Sequence, residues 1–122
     1  MKRTILACSI TAVLTCAVTL LAVRSPAFAQ VLQDIILDNP RVKVTRIIHP
    51  PGEARPRHTR PTDQVIVFLD DCSYERTNSA SGSKSIQTRK SGDVIWHNKG
   101  DDAPVLVGTS KTAYRTILIE LK

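Results

Sequence analysis

The chain has 122 residues, with 17 Lys or Arg against 11 Asp or Glu, 4% aromatic residues and three cysteines. That length holds one domain with a modest core. The charge of +6 falls short of the dense basic face that nucleic-acid binding needs.

The first thirty residues read as a targeting segment. Lys2 and Arg3 precede an apolar-to-small run from Ile5 to Val23, and Ala27-Phe28-Ala29 supplies the small-x-small pattern of a signal peptidase site. Cleavage after Ala29 is expected, making 1–29 a signal peptide and 30–122 the mature domain. An apolar run of about 19 residues would also just span a bilayer as a retained anchor; the cleavage triplet favours removal. The mature protein is then expected in the periplasm or secreted, with no membrane contact. Lys2, Arg3 and Arg24 leave with the signal, so 14 basic and 11 acidic residues remain, a net +3. Cys8 and Cys16 leave too, and Cys72 alone is left. It is expected as a small buried apolar residue, the alternative being an exposed thiol that pairs with another chain.

The remainder alternates strands and turns. Residues 41–48 alternate polar and apolar side chains, the period of a half-buried strand, and Pro50-Pro51-Gly52 ends them. Val65–Leu69 is a continuous β-branched and aromatic run, suited to a strand covered on both faces. A polar tip at 78–83 joins strands at 73–77 and 84–88 into a hairpin. Strands at 94–97, 105–107 and 114–121 follow, separated by the turns at Ser91-Gly92-Asp93 and 98–102. Short strands at this spacing, with no helical period, predict an all-β sandwich or closed barrel.

Two stretches resemble the motifs of the cupin superfamily, specifically its small single-domain bacterial members. The family's first motif is G-x5-H-x-H-x3-E-x6-G and its second G-x5-P-x-G-x2-H-x3-N. Gly52 and His58 match the first motif; Arg60 stands at its second histidine, Gln64 at its glutamate and Asp71 at its closing glycine. Gly92 and Gly100 match the second, with Asn98 at the proline, Ala103 at the histidine and Val107 at the asparagine. The resemblance implies a small antiparallel β-barrel of the double-stranded β-helix, jelly-roll type. It also implies that His58, Arg60 and Gln64 face the barrel mouth. Of the four positions where the family holds a metal, His58 alone keeps a ligand. A permanent guanidinium, an amide and a methyl group at the others make a poor divalent site, so no metal or cofactor is expected.

Arg60 presents a planar fork suited to carboxylate or phosphate, with Arg55 and Arg57 near the rim; its alternative is an internal ion pair with Asp63 or Asp93 that plugs the barrel. Trp96 is expected either in the core or as a pocket wall that stacks on a ligand. His49 and His97 end strands and are expected at the surface or hydrogen-bonded. No nucleophile–base grouping or carboxylate pair is readable. The expected function is binding of a small polar or anionic ligand without a metal and without catalysis, using His58, Arg60, Gln64 and Trp96. A metal-dependent isomerase or dioxygenase with atypical ligands and a structural subunit with a plugged barrel are the alternatives. A homodimer through 31–37 is a further expectation. Export is checked by intact mass: protein recovered from the periplasm or medium should begin at Gln30, and a mass retaining residues 1–29 would exclude cleavage.

Overall fold

A computed structural model describes residues 32–122; the expected signal segment and its cleavage site lie outside the described residues. Eleven strands follow one another: β1 (Leu32–Asp38), β2 (Val42–His49), β3 (Ala54–Arg55), β4 (His58–Thr59), β5 (Gln64–Phe68), β6 (Cys72–Thr77), β7 (Lys84–Arg89), β8 (Val94–His97), β9 (Asp102–Ala103), β10 (Val105–Gly108) and β11 (Tyr114–Leu121). Among the described residues there is no helix. The strands form a five-stranded sheet in the order β1-β2-β11-β5-β8, a four-stranded sheet β3-β10-β6-β7 and a bridging pair β4-β9. All pairings are antiparallel. The jelly-roll barrel expected from the sequence is therefore present, with β3, β4 and β9 as short additions that two-residue periods cannot announce.

β11 sits at the centre of the larger sheet, paired along its whole length with β2 and over Thr116–Glu120 with β5. Because opposite residues share a face, this register sorts the side chains. Thr45, Ile47 and His49 of β2, Tyr114, Thr116 and Leu118 of β11, and Gln64, Ile66 and Phe68 of β5 turn inward; His97 and Ile95 of β8 join them opposite Gln64 and Ile66. Phe68, Cys72, Tyr74 and Tyr114 form the core cluster, flanked by Ile66, Ile95 and Leu106. Phe68 stacks near-parallel on Tyr74 and Tyr114, with centroids 6.4 and 6.5 Å away.

The outward face is apolar as well. Val44, Ile119, Val65 and Trp96 lie in one row across four strands, and Ile117, Val67 and Val94 lie in the next. This explains why Val65–Leu69 reads as covered on both sides. It also corrects the placing of Trp96, which is 51% exposed and donates its indole N–H to Asn98 Oδ1 at 2.8 Å. Strand alternation sends Ile95 and His97 inward and leaves Trp96 outside, so it is neither core nor cavity wall. β1, at the sheet's edge, exposes Leu32, Ile35, Ile36 and Leu37.

Cys72 is buried against the core aromatics, as the sequence leads one to expect, and burial pushes its thiol above the ordinary range. Its reaction with a thiol reagent at pH 8 should be about 100-fold slower in the native protein than in denaturant, since only the accessible thiolate reacts. Comparable rates would place it at the surface.

Candidate functional site

A cavity of about 400 Å³ opens between the two sheets. Its residues fall into layers that follow the register. At one end Gln64 of β5 faces His97 of β8, and Arg60 stands beside them in the β4–β5 connection. In the middle lie Ile66, Ile95, Leu106, Leu118 and Phe68. At the far end, His49 opposes Tyr114 across the β2–β11 pair, with Glu53 and Arg55 below them.

The motif positions do converge. His58 pairs with Ala103 across β4 and β9, and His58, Arg60, Gln64 and Ala103 all line the cavity. His58 and Arg60 do not share one strand face, because β4 ends at Thr59 and Pro61 follows Arg60. His58 stays exposed at the rim with Nδ1 turned to the Pro56 carbonyl at 3.2 Å, while Arg60 turns inward and is 7% exposed. Its backbone is clamped from both sides: Arg60 N–H donates to Asp101 O at 3.0 Å, and Gly100 N–H donates to Arg60 O at 2.9 Å. Gly100 has φ +85°, a left-handed turn that costs glycine little and brings its N–H to that carbonyl.

The Arg60 guanidinium has no carboxylate partner among the described residues, and its Nε is buried without a hydrogen bond. The two carboxylates that the sequence offers as plugs are engaged elsewhere, Asp63 accepting from Lys99 N–H at 2.7 Å and Asp93 from Lys90 N–H at 2.9 Å. Burial works against the Arg60 cation, opposed by Asp101, yet guanidinium stays charged in proteins. Burial, reinforced by Arg60, lowers His97, so its ring is neutral at pH 7. A metal does not fit this donor set. The exposed His58 imidazole, the His97 ring and one amide, set beside a buried cation, cannot replace three or four anionic or imidazole ligands, and no cluster of three His, Cys, Asp or Glu is found among the described residues.

The opposite end is a polar group that motif reading did not find. His49 is buried, with Nε2 3.0 Å from Thr116 Oγ1 and Nδ1 3.3 Å from Glu53 Oε2, and its ring stacks on Tyr114 at 4.6 Å. Burial, with the Arg55 cation adding to it, depresses His49 to about 3. The contact with Glu53 is thus no ion pair at pH 7, despite its length. A carboxylate oxygen can only accept, which assigns the ring proton to Nδ1 and leaves Nε2 to accept from the Thr116 hydroxyl. The Glu53 side chain is 7% exposed, its Oε1 is buried without a partner, and burial raises its carboxyl. Gly52 makes this placement possible. Its φ of +72° closes the turn after β2, with Glu53 N–H donating to Pro50 O and Gly108 N–H to Glu53 O. Arg55 donates from Nη2 to the Tyr114 hydroxyl at 3.0 Å, and burial pushes Tyr114 up to about 12. A strand-end His and a Glu four residues later around Pro-Pro-Gly was the available signal, but only the β2–β11 pairing shows that both face inward.

His49 gives a pH signature. Its ordinary value near 6.5 in the unfolded chain falls to about 3 in the fold, so the unfolded state binds more protons between these values. Stability contributed by neutral His49 is complete above pH 6.5 and is lost as pH falls toward 3. Glu53 acts oppositely: its raised carboxyl is protonated more readily in the fold, so its share is greatest below about 4.5 and is lost as pH rises through the folded value. The His49 shift is the larger, so Tm should fall from pH 6.5 to 4. His49→Gln should flatten that slope; an equal slope in the variant would show that His49 is not held neutral.

No family model matches the sequence, and no curated protein matches it. Solved structures do. A cupin domain from Bordetella pertussis Tohama I is 23% identical, with a TM-score of 0.65 over 75% of this chain and 93% of that one. A cupin superfamily protein from Desulfitobacterium hafniense DCB-2 is 17% identical, with a TM-score of 0.58 over 76% and 78%. The polyketide cyclase RemF from Streptomyces resistomycificus is 18% identical, with a TM-score of 0.61 over 81% and 70%.

Proposed function

Because the chain has the cupin double-stranded β-helix fold, with the family's ligand positions altered, we propose that it is a metal-free binding protein for a small organic anion. The observation that carries this reading is Arg60, a buried guanidinium that lines the cavity with no carboxylate within ion-pair distance among the described residues. Burying a lone cation is costly, and an anionic ligand offsets that cost with charge-assisted, bidentate hydrogen bonds. Gln64 and neutral His97 add directional partners beside it, and His58 stands at the rim. A polyketide cyclase and the DMSP lyase DddQ from Ruegeria pomeroyi DSS-3 share the fold, so the fold alone does not separate binding from catalysis. The donor set favours binding over metal chemistry.

Export to the periplasm or medium belongs to the same reading, and rests on the N-terminal sequence. So does pairing of two copies along β1, which the exposed Leu32, Ile35, Ile36 and Leu37 support.

Thermal melts of wild type and Arg60→Ala, each with and without acetate, succinate, benzoate, phenylacetate and phosphate, test the proposal. The wild type should gain Tm with at least one of these anions. Arg60→Ala should lose that gain while melting, without ligand, at the same temperature or higher, since no carboxylate is stranded by the change. A wild type indifferent to every anion, with a variant destabilised by about 3–5 kcal/mol as expected when a buried pair is broken, would establish the plugged-barrel alternative.

A further inference from the structure

The cavity is polar at both ends and apolar between them. Gln64 lies opposite Glu120 and His49 lies opposite Tyr114, toward the two ends of β11. Arg60 reaches in from the first end and Glu53 from the second, and Ile66, Phe68, Ile95 and Leu106 line the space between. The two end groups are complementary in what they lack. Arg60 has an unpartnered buried donor at Nε; Glu53 has an unpartnered buried acceptor at Oε1. Buried polar atoms in native proteins are nearly always satisfied, so each marks a place where something outside the protein chain belongs.

Glu53 Oε1 selects its partner narrowly. A carboxylate there would meet like charge, and an ammonium group would meet the Arg55 cation, which faces Glu53 and His49 and is bonded to Tyr114. His49 occupies Oε2 with its own N–H. A neutral O–H donor suits the remaining oxygen. We propose that the ligand is a hydroxy acid with an apolar body, its carboxylate held by Arg60, its hydroxyl donating to Glu53 Oε1, and its body, most simply an aromatic ring, packed among Ile66, Phe68, Ile95 and Leu106. This rests on the anion-binding reading of Arg60 and adds the ligand's second end.

Calorimetric titration with 4-hydroxyphenylacetate, 4-methylphenylacetate and phenylacetate tests it, because the first two share size and differ in the donor. Wild type should bind the hydroxyl compound at least about tenfold more tightly than the methyl compound, the worth of a hydrogen bond to a charged group. Glu53→Gln keeps an acceptor without the charge and should shrink that preference. Glu53→Leu removes the acceptor and should reverse it, the preference being read within each variant as the ratio of its two affinities; melting curves verify that each variant is folded, and Glu53→Gln carries the test if Glu53→Leu is not. Equal affinity of wild type for the hydroxyl and methyl compounds, or a preference that survives in both variants, overturns the inference while leaving anion binding intact. If wild type binds none of the three but is stabilised by another carboxylate or by phosphate, the hydroxyaryl ligand class falls alone. If no anion binds at all, both readings fall together.

Discussion

β11 exchanges backbone hydrogen bonds along both edges, with β2 over its full length and with β5 over five residues, and the inside of the domain is decided there. Side chains alternate with period two, so sliding β11 by one residue against β2 would bring Arg115 and Ile117 inward and expel Tyr114, Thr116 and Leu118. Tyr114 supports the His49 ring and takes the Arg55 bond; Thr116 caps His49. The core cluster, the polar far end and the apolar middle therefore share one register. The outward rows of Val44, Ile119, Val65 and Trp96 depend on it too, because their burial by any covering surface needs the same alignment.

A domain of this size has little stability to spare, yet it keeps Arg60, Gln64, His49 and Glu53 largely out of water. A core optimised for stability alone would fill those positions with leucine or phenylalanine, which is often neutral or stabilising where buried charges are replaced. Three of the four groups are held in place by identifiable devices: the Gly100 turn behind Arg60, the Gly52 turn behind Glu53, and the Thr116 hydroxyl on His49. Departures from sequence-level consistency that are supported in this way mark functional positions more often than accidents. The cavity combines preorganised polar ends with an apolar wall, the common composition of small-molecule sites.

Much of the architecture is legible in the residues. Alternation at 41–48, the apolar run at 65–69 and the polar tip at 78–83 correspond to β2, β5 and the β6–β7 hairpin, because local period and turn chemistry act over a few residues. The motif spacing brings His58, Arg60, Gln64 and Ala103 to one place, since the glycines that shape the intervening turns are retained. Two things escape a linear reading. Residue type points Trp96 inward, but strand phase overrides type, and β8 gives its inner face to Ile95 and His97. The His49–Glu53 group escaped because its meaning depends on Tyr114 and Thr116, more than sixty residues further along the chain. Both failures concern which face a residue takes, a property that pairing between distant strands determines.

Trp96 is the chain's only tryptophan, and Tyr74 and Tyr114 its only tyrosines. The indole lies on the outer surface of the five-stranded sheet, bonded to Asn98, whereas both phenols are in the core beside the cavity. The intrinsic chromophores thus divide the molecule optically into an outside and an inside. Emission excited at the indole band reports solvent access or contact at the sheet's outer face and is insulated from events in the cavity by a full layer of β-strand. Near-ultraviolet absorption and dichroism of the two tyrosines report the interior. A change confined to one set of signals would locate an event on one side of the sheet without any label being introduced.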